Sequence, residues 1–202
     1  MSRAITPEQM TAYDQARATA LESSACLLAV FKVIGVPRTM LDVGCGDGHL
    51  VKIAAALGTQ RATGLDIAVS TVVGGDGYAL INADIEGHDF SLMYRGTMDL
   101  VLCLEVAEHL SPNAADPLCA TLAGALAQDG ILLFSAATPG QGGSGHVNEQ
   151  PHDYWVSRLS ARGLTFDRTL TSKLSVAWRV AAPAAWWYAK NLLVFRNQAV
   201  WR

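Results

Sequence analysis

Three residues near the middle of the chain, Glu105, Glu108 and His109, have the types and spacing to hold a cation or move a proton. If a helical turn begins at Glu105, positions three and four apart share a face and the three side chains converge. Two carboxylates and an imidazole on one face can hold a divalent cation, and oxygen-rich ligation favours Mg²⁺ or Mn²⁺. A further imidazole is available from a downstream glycine-rich stretch, His146 in preference to His152. Without a metal, His109 has the chemistry of a general base poised near neutrality. At its plainest, Glu108-His109 caps a helix. His49 and His88 have no evident partner and are expected at the surface. Asn148 and Glu149 either line a pocket or only order their loop.

A second constellation precedes the first. Met40, Leu41 and Val43 form a short apolar run that ends in Gly44-Cys45-Gly46-Asp47-Gly48, after which His49-Leu50-Val51 starts a helical pattern. Strand, tight turn and helix in succession are where an open α/β sheet holds a nucleotide-like ligand. Asp42 at the strand end would repel a pyrophosphate and suits a ligand carrying an ammonium or sulfonium. Asp66, 18 residues beyond Gly48 at the tip of the next strand, stands where a carboxylate can bridge two ribose hydroxyls.

The run D-V-G-C-G-x-G resembles the first motif of class I S-adenosylmethionine-dependent methyltransferases, and Asp84-Ile85 is similar to their third. E-x-x-E-H resembles two groups within them, the ubiquinone-biosynthesis O-methyltransferases and the small-RNA 2′-O-methyltransferases. The strings EVAEHL, G-x-G-H-V-N-E-Q-P-x-x-Y-W and W-Y-x-x-N-L-L-V-F resemble a group of bacterial and phage methyltransferases, over nearly the whole chain. This resemblance implies S-adenosylmethionine as methyl donor. Asp42, Gly44, Cys45, Gly46 and Gly48 would take its methionine end, Asp66 the ribose, Asp84 and Ile85 the adenine, and Leu104 would also meet the cofactor. His109, Glu108 and His146 would be catalytic, and Glu105, Glu108, His109 and His146 would hold the metal. The implied acceptor is a hydroxyl of a small molecule, sugar or glycan precursor. An RNA 2′-O-methyltransferase and a non-catalytic cofactor-binding partner protein are the alternatives.

The elements that must position these residues read as a doubly wound α/β fold, with a mostly parallel seven-stranded sheet and an antiparallel last strand. A helix opened by Thr6, Pro7 and Gln9 runs with Met10, Tyr13, Ala16 and Phe31 on its stripe to Gly35. Strands are expected at 39–43, 62–65, 79–83, 98–104, 131–136, 164–167 and 191–196. Helices are expected at 47–57, 116–128 and 152–162, with a helical stretch after Arg168. Gly74-Gly75-Asp76-Gly77 denies a full helix between strands two and three, so that connection is short. It leaves one side of the cofactor open or covered by a partner chain, so an oligomer is allowed. The loop 138–150 is long for a compact domain and reads as functional or mobile.

A single domain accounts for 202 residues: a helical segment 1–37, a cofactor-binding core 38–167 and an aromatic, basic segment 168–202. Net charge of −3 gives no general attraction to nucleic acid. Beyond Asp167 there is no acid, only Arg168, Lys173, Arg179, Lys190, Arg196 and Arg202. With Trp178, Trp186 and Trp187 among them, these invite nucleic-acid or membrane contact, but the wide spacing favours core and pocket wall. Cys26, Cys45, Cys103 and Cys119 form no C-x-x-C pair and read as reduced thiols of a cytoplasmic protein. The first residues are unlike a signal peptide, and no apolar run reaches the roughly 18 residues of a membrane span.

Overall fold

The computed structural model describes Pro7 and residues 20–70 and 73–198. Helix α1 (Ala20–Ile34) leads into β1 (Thr39–Val43), α2 (His49–Ala56), β2 (Arg61–Asp66), β3 (Val73–Gly75) and β4 (Tyr78–Asn82). Then follow β5 (Met98–Leu104), a 3₁₀ turn (Ala107–His109), α3 (Ala115–Ala125), β6 (Leu126–Ser135) and α4 (His152–Ala161). The chain closes with β7 (Thr165–Phe166), α5 (Arg168–Ala181), α6 (Trp186–Asn191) and β8 (Leu193–Arg196). Pro7 is helical, whereas Thr6, Gln9, Met10, Tyr13 and Ala16, on which the expected cap and early stripe rest, lie outside the described residues.

The sheet order is β3-β4-β2-β1-β5-β6-β8-β7. β1 pairs in parallel with both β2 and β5, so the order reverses at β1. A crevice therefore opens outside the carboxyl ends of β1 and β5, which is where such sheets hold ligands. β8 runs antiparallel between β6 and β7, as expected of the last strand.

Among the described residues the sheet has eight strands, where seven are expected. The extra strand, β3, pairs antiparallel with β4 so that Gly75 faces Tyr78, leaving Asp76-Gly77 as a two-residue hairpin turn. Gly77 takes φ of 78°, and Asp-Gly is the pair such turns favour. The glycines that deny a helix here make a hairpin instead. A second difference lies at the end of α3, which stops at Ala125 and not Gln128. The chain extends at once into β6, and a register irregularity opposite Met98 and Leu100 absorbs Asp129 (φ 63°) and Gly130. A Cβ on Gly130 would come within 2.8 Å of the Met98 carbonyl oxygen, so only glycine fits that crossing.

The central strands bury both faces, as parallel sheets do. Leu100 and Leu102 of β5 pack with Phe31, Val51 and Trp178 from α1, α2 and α5. The alternate residues Val101 and Cys103 pack with Leu118, Leu122 and Trp155 from α3 and α4. Each large side chain so buried contributes about 1.5–3 kcal/mol, and together they hold the carboxyl end of β5 from both sides. All four cysteines are free thiols. Among the described residues no helix is long and apolar enough to cross a membrane.

Candidate active site

The glycine loop ties the ends of β1 and β2 together. Gly44 and Cys45 N–H both donate to the Leu65 carbonyl (2.8 and 3.2 Å), and Gly46 N–H donates to Asp66 Oδ2 (2.8 Å). Ala68 N–H donates to the other carboxylate oxygen of Asp66 (2.8 Å). Gly44, Gly46 and Gly48 all have positive φ. Gly48 leads into α2 with φ of 78°, and a Cβ there would collide with the Leu80 side chain.

Asp42 is buried beneath this loop, 4% exposed. Burial, reinforced by the negative charge of Asp66, pushes its carboxyl up to about 7. The Cys45 thiol is raised for the same reasons, burial first and then Asp42. Asp84 is half-buried just beyond β4 and accepts hydrogen bonds from the Glu86 and Gly87 N–H groups (3.1 and 3.2 Å). Ile85 is buried in the core on the α3 side, and half-buried Leu104 packs against the opposite core. His49 does not stand free at the surface. It is half-buried, with Nε2 2.7 Å from Ser24 Oγ and 3.1 Å from the Ala20 carbonyl, and so joins α1 to the loop helix. His88 is exposed as expected.

Beyond β5 the chain does not begin the helical turn expected at Glu105. Glu105 takes φ of 54°, a left-handed conformation that costs a non-glycine residue about 1–3 kcal/mol. Its N–H is fixed on the Ser135 carbonyl (3.0 Å) and hydroxyl (3.1 Å). The 3₁₀ turn then starts at Ala107, so Glu105 does not share a helical face with Glu108 and His109. Its carboxylate accepts instead from Asn191 Nδ2 at 3.2 and 3.1 Å. Asn191 is fully buried.

Glu108 is fully buried. One carboxyl oxygen accepts the Ala137 N–H (3.2 Å) and the other has no partner. Burial raises the proton affinity of Glu105 and of Glu108, and the Glu105 charge raises Glu108 further.

His109 and His146 meet edge to face, with centroids 4.9 Å apart. His109 Nδ1 faces the Gly145 carbonyl (3.3 Å), and His146 Nδ1 faces Glu149 Oε1 (2.9 Å). These acceptors suit an Nδ1–H on each ring and leave Nε2 as the atom for a ligand or base. Burial, followed by the proximity of His146, lowers the His109 pKa and keeps that imidazole neutral. Glu149 also accepts the Gly140 and Gly142 N–H groups (2.8 and 2.7 Å). It therefore closes the glycine loop and orients His146 at once. The loop is latched to the turn by Val147 and Asn148 N–H, which both donate to the Glu108 carbonyl.

Glu108, His109 and His146 each present a ligand atom within 4.8 Å of the others. Donors on one ion at about 2.1 Å stand roughly 3–4 Å apart, so a small contraction brings the three to bonding distance. Glu105 lies outside this group, and so does His152, whose Nε2 is buried without a partner. Two participants escaped the sequence reading. Asn191 lies in the N-L-L-V-F string but reads there only as the start of a strand, and Ser135 gives no local signal at all.

A family model described as a methyltransferase domain matches residues 13–183. The chain belongs to that family. The domain is 30% identical over 125 residues to the ubiquinone biosynthesis O-methyltransferase of Neisseria meningitidis serogroup C, covering 58% of this chain and 47% of that protein. It thus spans about half the length of the curated relatives it matches. An S-adenosylmethionine-dependent methyltransferase from Archaeoglobus fulgidus superposes with a TM-score of 0.60 at 14% identity, over 86% of this chain and 92% of that one. The 1,6-didemethyltoxoflavin-N1-methyltransferase of Burkholderia thailandensis, solved with its acceptor and S-adenosylhomocysteine, superposes with a TM-score of 0.59 at 15% identity, over 98% and 93%. The methyltransferase domain thus has the class I fold, with its glycine loop and its acid and histidine cluster at one sheet edge.

Proposed function

We propose that this domain transfers a methyl group from S-adenosylmethionine to a hydroxyl of a small-molecule, sugar or glycan-precursor acceptor, with a divalent cation at Glu108, His109 and His146. The observation that carries the reading is the convergence of those three side chains at the carboxyl end of β5, across the crevice from the Asp42 and Gly44–Gly48 loop. Asp42 supports a ligand with an ammonium and a sulfonium, because a buried carboxyl held near 7 gains most from an adjacent positive charge. Asp66 and Asp84 remain the candidates for the ribose and adenine. In this arrangement Asp66 first has to share a carboxylate now taken by two backbone N–H groups.

The donor set fits a cation. Glu108 offers a buried carboxyl oxygen that has no partner, and each imidazole is oriented through its other nitrogen. With Glu105 turned to Asn191, the set is one oxygen and two nitrogens, which favours Mn²⁺ over Mg²⁺. Such an ion supplies charge that lowers the pKa of a hydroxyl and fixes its direction. The neutral His109 favours a second reading without metal, in which its Nε2 takes the acceptor proton directly.

Calorimetric titration of the protein with S-adenosylhomocysteine, with and without Mn²⁺ or Mg²⁺, and with the metal alone, tests the proposal. The expected result is cofactor binding by wild type and by Glu108→Gln, with the metal signal lost in the variant. A cofactor site without any metal response leaves His109 as a lone base. Absence of cofactor binding refutes methyl transfer.

A further inference from the structure

Lys190 stands on the last turn of α6, next to Asn191. Its ammonium donates to Thr138 Oγ1 at 2.9 Å and to Gln141 Oε1 at 3.1 Å. Both partners are neutral, and among the described residues Lys190 forms no ion pair. It also lies 5.5 Å from the centroid of Trp186, whose side chain is 52% exposed although large and aromatic. His152 is the third neighbour. Burial and then the Lys190 charge keep its imidazole neutral, against an opposing effect of Asp153, and its Nε2 has no partner.

The cluster adjoins the reactive edge. Ala137 N–H donates to Glu108, and the next residue, Thr138, receives Lys190. One residue step and two hydrogen bonds keep the cation within about 12 Å of the Glu108 carboxyl. That is the reach of an acceptor with one ring between its reacting hydroxyl and a second polar group. Three features adjoin there: an exposed cation with no carboxylate partner among the described residues, a flat exposed aromatic face and a buried nitrogen with nothing to bond.

We infer that Lys190, with Trp186 and His152, forms a subsite for an anionic group of the acceptor, a carboxylate or a phosphate, about one ring away from the hydroxyl that is methylated. The inference deepens the methyl-transfer reading and rests on it for the hydroxyl, while the anion subsite can be tested alone. The probes are benzoate, phenyl phosphate and the neutral benzyl alcohol, titrated by calorimetry into protein saturated with S-adenosylhomocysteine. EDTA is present so that no metal ion takes up the anion. At least one anion should bind tenfold or more tighter than benzyl alcohol, and which one does so separates carboxylate from phosphate. Lys190→Gln should bring that ratio to about one and Lys190→Arg should keep it. With S-adenosylmethionine in place of S-adenosylhomocysteine and Mn²⁺ restored, 3,4-dihydroxybenzoate should be methylated in preference to catechol, with the preference again lost in Lys190→Gln.

Equal binding of charged and neutral probes by wild type overturns the inference. So does a Lys190→Gln variant that weakens both equally, since that is the behaviour of a lysine that only pins the loop. S-adenosylhomocysteine binding by each variant reports that it is folded. Anion binding without methylation of either hydroxyl probe would leave the subsite standing and count against the hydroxyl acceptor of the proposed function.

Discussion

In the proposed site, Asp42 makes cofactor binding sensitive to pH. Moving its carboxyl from the ordinary 3.8 to about 7 corresponds to about 4 kcal/mol between its two protonation states in the folded protein. Between these two values the folded chain keeps a proton that the unfolded chain has released. This contribution to stability is therefore complete below about 4 and is lost as pH rises through 7. Asp42→Asn mimics the neutral acid and should stabilise the ligand-free domain above pH 7, by up to about 4 kcal/mol. The gain should shrink as pH falls toward 4.

Cofactor binding should run the opposite way. The ammonium of S-adenosylhomocysteine gains from an ionised Asp42, and at pH 6 only about a tenth of a carboxyl with pKa near 7 is ionised. Affinity should rise close to tenfold from pH 6 to pH 7.5 and then level. Binding at pH 7 should release a fraction of a proton, read by calorimetry in buffers of different ionisation enthalpy. Asp42→Asn should bind more weakly at pH 8 and lose the slope. Because Asp66 is the second cause of the shift, Asp66→Asn should move the midpoint to lower pH. A wild-type affinity flat between pH 6 and 8, or a slope that survives in Asp42→Asn, would refute this account of the pocket.

Two substitutions test the supports of the site. Gly48→Ala adds a methyl group against Leu80 in a left-handed residue, whereas Gly35→Ala meets open space at φ of 85°. Denaturant unfolding should show a loss of about 1–2 kcal/mol at Gly35, a larger loss at Gly48, and weakened cofactor binding at Gly48 alone. Asn191→Ala removes the donor that faces the Glu105 carboxylate and should cost about 1–3 kcal/mol. A larger loss is expected for Asn191→Asp, which adds a third buried acid. Equal stability of wild type and Asn191→Ala would mean that Glu105 finds another donor.

The parts of this fold that were legible in the sequence are those set by short-range pattern. The loop from Asp42 to Gly48 is written in consecutive residues, because each positive-φ position needs its own glycine. Asp66 follows from strand and helix length, and the two-sided burial of β5 from its apolar run. The extra strand was legible in principle, since Asp76-Gly77 is a hairpin signal, but glycines that exclude a helix do not by themselves say what replaces it. Glu105 was misplaced for a different reason. The spacing E-x-x-E-H fits a helical face, but the backbone enters a left-handed residue that Ser135 and Asn191 hold from 30 and 86 positions away.

That long-range hold has a consequence for how the site assembles. Asn191 and Lys190 belong to α6, immediately ahead of β8, which pairs with β6 through Leu193–Arg196. Until β8 enters the sheet, Glu105 lacks its donor, and the loop that carries His146 lacks its tie through Thr138 and Gln141. The glycine loop needs none of this, because its hydrogen bonds run between β1, β2 and Ala68. The two halves of the crevice therefore depend on different lengths of chain: the glycine loop on the first third, the acid and histidine cluster on nearly all of it. A variant weakened at the β6–β8 pairing should lose the metal response while it still binds S-adenosylhomocysteine. Phe195→Ala, which empties a fully buried position on β8 at a cost of about 3–5 kcal/mol, provides that comparison. Loss of both ligands in parallel at partial denaturation would show instead that the sheet melts as one unit.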